Sequence, residues 1–273
     1  MVLDPRIKEF SAGVLSAFVS INVTYPFTKL IYRQILTQSS FQVALWEVRQ
    51  EGLRYLYRGI GPPIIQRSTE LSVMFGVYKT AEMALHPLKL SMYDEKVASS
   101  AISGVTESFL CPLERVMLLL IDSKNHSKFK NMGHALFILV RDYGPKELYR
   151  GYSAILTRDV FHNTFFFLMR DELSGLVKCH EHKLQENFQN FLVGAGVGLM
   201  MTTLFYPIKV VKARMQKRIG GRFVSVPQSV TEIYKDRGRG FRNFYRGIGM
   251  NVVRSIVAWG IANTSYEFFK RHL

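Results

Sequence analysis

Apolar positions gather into six long runs separated by shorter polar stretches. Phe10–Tyr25 is almost uncharged, and with its continuation past Pro26 it reaches the length of about 20 residues that a membrane-crossing helix needs. Pro62–Leu85, Val97–Ile121, Ser153–Val177, Phe188–Met215 and Ile248–Phe269 are comparable in length, and most carry a few charges. Pro26, Pro112 and Pro207 fall in the C-terminal halves of the odd-numbered runs, where a kink is expected. Gln42–Arg49, Met132–Arg141 and Pro227–Asp236 lie between odd and even runs as short amphipathic stretches. Their length suits helices resting on a membrane surface.

The runs repeat in detail. Tyr25-Pro26 leads to Glu51-Gly52 and Tyr57-Arg58-Gly59. Cys111-Pro112 leads to Tyr149-Arg150-Gly151, and Tyr206-Pro207 to Tyr245-Arg246-Gly247. Three copies of one unit predict a single three-part body with repeats at 1–90, 91–183 and 184–273. Small residues four apart (Gly13 and Ala17, Ser100 and Gly104, Gly194 and Gly198) predict close helix packing. The glycines at 194, 196 and 198 superficially suggest a dinucleotide-binding loop, but they sit inside an apolar helix rather than after a strand.

Composition narrows the function. Hydrophobic residues make up 48% and charged residues 21%, with mean hydropathy +0.04. Helices with one face in lipid and one in water give that mixture. A formal charge of +15 points to anionic partners. Nucleic acid is excluded because the basic residues alternate with apolar runs. Cys111 and Cys179 offer neither a disulfide framework nor metal-ligand spacing, and Cys111 before a proline reads as a buried, inert thiol. The histidines are scattered, no nucleophile–base–acid set is evident, and no catalysis or metal is expected. The N-terminus lacks the features of a secretory or transit segment, so any targeting information is expected to be internal.

These residues resemble the mitochondrial carrier family (solute carrier family 25) over essentially the whole chain. That family repeats Pro-x-[Asp/Glu]-x-x-[Lys/Arg] on odd helices and an aromatic-basic-Gly element after each surface helix. The resemblance implies an all-α membrane protein. Six transmembrane helices form three pseudo-symmetric repeats, each with a short matrix-side surface helix, around a central cavity. It also implies a monomer in the mitochondrial inner membrane. Leu56–Arg67, Met74–Tyr78, Cys111–Val116, Arg218–Phe223 and Arg254–Phe268 are similar to the NAD⁺ transporter branch of that family.

The chain departs from the family pattern at its gates. The acidic positions hold Thr28, Glu114 and Lys209; the basic positions hold Ile31, Met117 and Lys212. A ring of three ion pairs is impossible, and one link remains, from Glu114 to Lys212 or Lys209. This predicts a weak matrix gate, with Glu114 either serving the substrate or remaining as a structural pair. The cytosolic motif is intact as Tyr266-Glu267-Phe268-Phe269-Lys270, inverted as Lys79 and Glu82, and altered as Arg170-Asp171.

By the resemblance, substrate contacts lie about nine residues after each Tyr of Tyr-Arg-Gly, which selects Gln66-Arg67, Arg158-Asp159 and Arg254-Ser255. Arginines at equivalent heights would converge on the axis, where a guanidinium fork suits phosphate. NAD⁺ would then place its pyrophosphate on these arginines and its nicotinamide near Glu114 or Glu107. For Glu107 a hydrogen bond to a neighbouring helix is an equal reading. Adenine stacking on Phe161, Phe165, Phe166 or Phe167 stays open against simple packing. Arg58-Gly59, Arg150-Gly151 and Arg246-Gly247 open helices and are expected, by the resemblance, to bind cardiolipin; capping of the surface helices by the glycines is compatible. Two alternatives remain. Arg158-Asp159 suits a zwitterion, hence an amino-acid or carboxylate carrier, and the broken gates permit a transport-inactive scaffold.

Overall fold

A computed structural model describes residues 5–177, 196, 199–236 and 240–272. Among these residues the regular structure is entirely helical. The chain runs through α1 (Pro5–Thr37), α2 (Phe41–Glu51), α3 (Leu53–Leu56) and α4 (Gly61–Leu85). It continues through α5 (Met92–Ser108), α6 (Cys111–Ile121), α7 (Met132–Tyr143) and α8 (Tyr152–Val177). It closes with α9 (Tyr206–Gln216), α10 (Val226–Lys235) and α11 (Ile248–His272). Residues 199–204 are helical and lead into α9.

The expected kinks take two forms. α1 runs unbroken through Pro26. The helices at Pro112 and Pro207 restart, each with the proline in the first turn, where its missing N–H costs nothing. The short helices have local reasons to begin. Ser40, Asn131 and Ser225 cap α2, α7 and α10 by accepting from the amides of Val43, His134 and Gln228. Their ends correct one expectation: the capping glycines are Gly52 and Gly144, both at positive φ, rather than Gly59 and Gly151.

By length and composition one described segment, Gly13–Thr37, is apolar enough to cross a membrane. α4, α8 and α11 have 25, 26 and 25 residues, or about 37 Å of helix, and carry charges that lower their hydropathy. Of the described charged side chains on them, Arg158 meets Glu114 and Glu70 lies within reach of Glu107, both on other helices. Outward positions such as Phe18, Met83, Phe161 and Ile256 are exposed and apolar, an arrangement suited to lipid.

Around the bundle α1 packs on α11, α4 and α9, α5 on α4 and α8, and α9 on α8. At one end α1, α6 and α9 converge. Ile31, Tyr32, Ile35, Met117, Leu118, Ile121, Val210 and Val211 make a single buried core there. Gly104 lets α5 approach α8, since a Cβ would lie 2.7 Å from the Asp159 backbone. Gly13 does not have the expected role, because a Cβ there would meet nothing within 4 Å. Gly194 and Gly198 lie outside the described residues.

Candidate functional site

Polar side chains meet just inside the converged end. Glu114 lies in the first turn of α6, restarted by Pro112, and is 7% exposed. Its Oε2 accepts from Lys212 Nζ at 2.5 Å, and its Oε1 from Arg158 Nη1 at 2.8 Å and Gln66 Nε2 at 3.2 Å. Arg158 Nε donates to Asp159 Oδ1 at 2.6 Å. Five of the sequence-selected residues, from α4, α6, α8 and α9, therefore form one network. Of the two lysines open to Glu114, Lys212 takes it. Lys209 donates instead to Asn251 Oδ1 at 2.9 Å.

The network continues away from the converged end. Glu107 accepts from Asn163 Nδ2 at 2.8 Å, the interhelical hydrogen bond that was one of its two readings. Glu70 lies within side-chain hydrogen-bonding reach of Glu107, and Arg67 Nη1 is 3.2 Å from Glu70 Oε2. Arg254 stands apart, with the Ser255 hydroxyl 3.4 Å away. Glu70, Asn163 and Asn251 were not selected from sequence. Each lies within five residues of a selected arginine, so helical spacing was the available signal.

Neither gate has the form its motif suggests. At the converged end Ile31 and Met117, standing where cations were expected, are buried in the core. Closure there rests on apolar packing plus the Glu114–Lys212 link. At the other end Lys79 and Glu82 pair at 2.8 Å within α4, not between helices. Lys270 Nζ lies 5.7 Å from the centre of the Tyr266 ring. The side chains of Glu267, Arg170 and Asp171 lie outside the described residues.

The Tyr-Arg-Gly elements stitch neighbouring repeats. Arg58 donates to the carbonyls of His126 and Phe129. Arg246 donates to that of Gln38. Arg150 donates to those of Gly220, Gly221 and Arg222, and to Glu147. Glu147 also binds Arg115 at 2.5 Å, and all three of these side chains are buried. The arginine side chains expected to meet lipid phosphate are thus turned to backbone oxygens. The preceding tyrosines follow the same plan: Tyr25 and Tyr206 each donate a hydroxyl at 2.6 Å, to the carbonyls of Arg58 and Arg246. Cys111 stands in the equivalent place, buried as expected, with its thiol 3.7 Å from the Leu148 carbonyl. In the loop held by Arg58, His126 stacks on Tyr55 with ring centres 4.7 Å apart. Burial and the cations Arg58, Lys29 and Arg33 push its imidazole down to about 4, against the pull of Glu51.

A helical bundle with paired charges inside and apolar side chains outside is built as a membrane-embedded carrier. The model of the mitochondrial carrier protein family matches the chain at residues 4–87, 89–181 and 184–273. The mouse (Mus musculus) mitochondrial nicotinamide adenine dinucleotide transporter SLC25A51 is 37% identical over 264 residues, 96% of this chain and 88% of the relative. The human (Homo sapiens) transporter of the same description, SLC25A52, is 34% identical over 269 residues, covering 98% and 90%. The mitochondrial citrate transporter B of Aspergillus niger is 28% identical over 267 residues, covering 94% and 90%. The chain belongs to the mitochondrial carrier protein family.

Proposed function

We propose that this protein is an inner-membrane mitochondrial carrier that imports NAD⁺ into the matrix by alternating access. The proposed architecture is six spans in three repeats (1–90, 91–183, 184–273), with α2, α7 and α10 on the matrix surface. The converged end then faces the matrix, and the state described is closed there. The observation that carries the reading is the central network, which sets guanidinium and ammonium groups beside carboxylates. NAD⁺ needs both, for its pyrophosphate and its cationic ring. Whole-length likeness to two relatives named as nicotinamide adenine dinucleotide transporters supports the same cargo. Gln66, Arg67, Glu107, Glu114, Arg158, Asp159 and Arg254 line the path, and the carrier works as a monomer. Cardiolipin is held at the starts of α4, α8 and α11 by backbone amides, since the Arg58, Arg150 and Arg246 side chains are turned to carbonyls.

The test is uptake of labelled NAD⁺ into cardiolipin-containing liposomes bearing the purified protein, beside Arg158→Ala and Glu114→Ala. Saturable uptake lost in both variants is expected. Uptake of an amino acid or carboxylate in place of NAD⁺ would move the cargo to the class that Arg158-Asp159 also suits. Absence of uptake of any solute would leave the scaffold reading.

A further inference from the structure

The charges of the central network are not evenly mixed. Its carboxylates, Glu70, Glu107, Glu114 and Asp159, come from α4, α5, α6 and α8, and each has a bonded partner among Arg67, Asn163, Arg158 and Lys212. Helices α9 and α11 bring two further cations, Lys209 and Arg254. No carboxylate is paired with either among the described residues. Lys209 is held by Asn251, and its ammonium lies 5.1 Å from the ring centre of Tyr32 and 5.6 Å from that of Tyr206. Arg254 faces two other cations, Arg67 and Lys209, and the hydroxyls of Tyr32 and Tyr206. Asn251 lies three residues before Arg254 on α11, so the hydrogen bond to Lys209 brings both cations to one patch. Cations held by an amide, a hydroxyl and aromatic rings, with Glu114 committed to Lys212 and Arg158, make a site poised for an anion.

Arg158 is the reverse case. Its guanidinium charge is already countered by two carboxylates, Glu114 and Asp159, so it brings no excess positive charge to an anion.

We propose that Lys209 and Arg254 form the phosphate site, and that Arg158 instead organises the carboxylate wall facing the cationic end of the cargo. The inference rests on the reading of the cargo as NAD⁺ and sharpens it by giving the cargo an orientation. The pyrophosphate lies toward α9 and α11 and the nicotinamide toward Glu107 and Glu114. Lys209 sits one turn before Lys212, so the anion binds beside the salt link that helps close the matrix end. The Arg254 fork takes two phosphate oxygens and the Lys209 ammonium a third.

The test measures binding to the full-length protein in detergent by calorimetry, with inorganic pyrophosphate, NAD⁺ and nicotinamide riboside as probes. The proteins are wild type, Lys209→Gln, Lys209→Arg and Arg254→Gln. Lys209→Gln and Arg254→Gln are each expected to weaken pyrophosphate and NAD⁺ about tenfold or more. Nicotinamide riboside should change less than about twofold, and Lys209→Arg should keep most of the affinity. Unchanged pyrophosphate and NAD⁺ binding in both glutamine variants would overturn the site while leaving the cargo. An equal loss for nicotinamide riboside would show a structural role and overturn it too. A wild type that binds pyrophosphate through Lys209 but not NAD⁺ would keep the site and overturn the cargo.

Discussion

Glu114 holds Lys212 at 2.5 Å with one carboxylate oxygen and Arg158 at 2.8 Å with the other. One side chain thus ties α6 to α8 and α9. Glu114→Gln leaves two enclosed cations short of a counter-ion and should lower stability by about 3 kcal/mol. Thermal unfolding of the purified protein measures it. Exchanging the pair, Glu114→Lys with Lys212→Glu, should recover part of that loss; no recovery would assign the stability to Arg158 alone.

Glu147 serves two buried arginines, Arg115 and Arg150, and also accepts from the amide of Gly220. Glu147→Gln should therefore destabilise by about 3–5 kcal/mol, the range for orphaned buried charge. Glu82→Gln, which removes the charge from the exposed pair with Lys79 and keeps an acceptor for the Tyr78 hydroxyl, should shift stability by less than about 1 kcal/mol. Comparing the two melting temperatures checks the ranking.

Gly59 has φ +89, and a Cβ there would lie 2.8 Å from the Tyr25 hydroxyl. Gly59→Ala combines left-handed strain with this clash and should lower stability by about 1–3 kcal/mol. Gly76→Ala is the control: a Cβ meets nothing within 4 Å inside α4, so it should be neutral or stabilising by up to about 1 kcal/mol. Equal melting temperatures for the two variants would contradict the seam described here.

His126 titrates near 4 in the folded protein, against 6.5 ordinarily. The unfolded chain therefore takes up the proton first on acidification. Stability is unaffected by this group above pH 6.5 and falls as pH drops from 6.5 toward 4. His126→Gln should flatten the melting temperature across that window. A wild-type profile that already lacks the slope would refute the assignment.

The helices were legible because apolar runs and punctuating prolines recur. The ends of α2 and α7 misled because Gly52 and Gly144, not the more conspicuous Gly59 and Gly151, cap them. Residues of the network were legible where charge sits at helical spacing, as for Glu114, Arg158 and Lys212. The Tyr-Arg-Gly arginines were not, since their partners in the next repeat are backbone carbonyls, and a carbonyl has no residue type. Glu70 was passed over for a related reason. One turn from Arg67 it looks like an ordinary helix-surface pair, and only the fold brings it against Glu107.

Ile31 and Met117 have one more consequence. Parting the converged end wets their side chains, so its free energy should carry a positive heat capacity and curve with temperature. Ionic strength should move it little, because hydration of an apolar seal, unlike attraction across a ring of ion pairs, is not screened by salt.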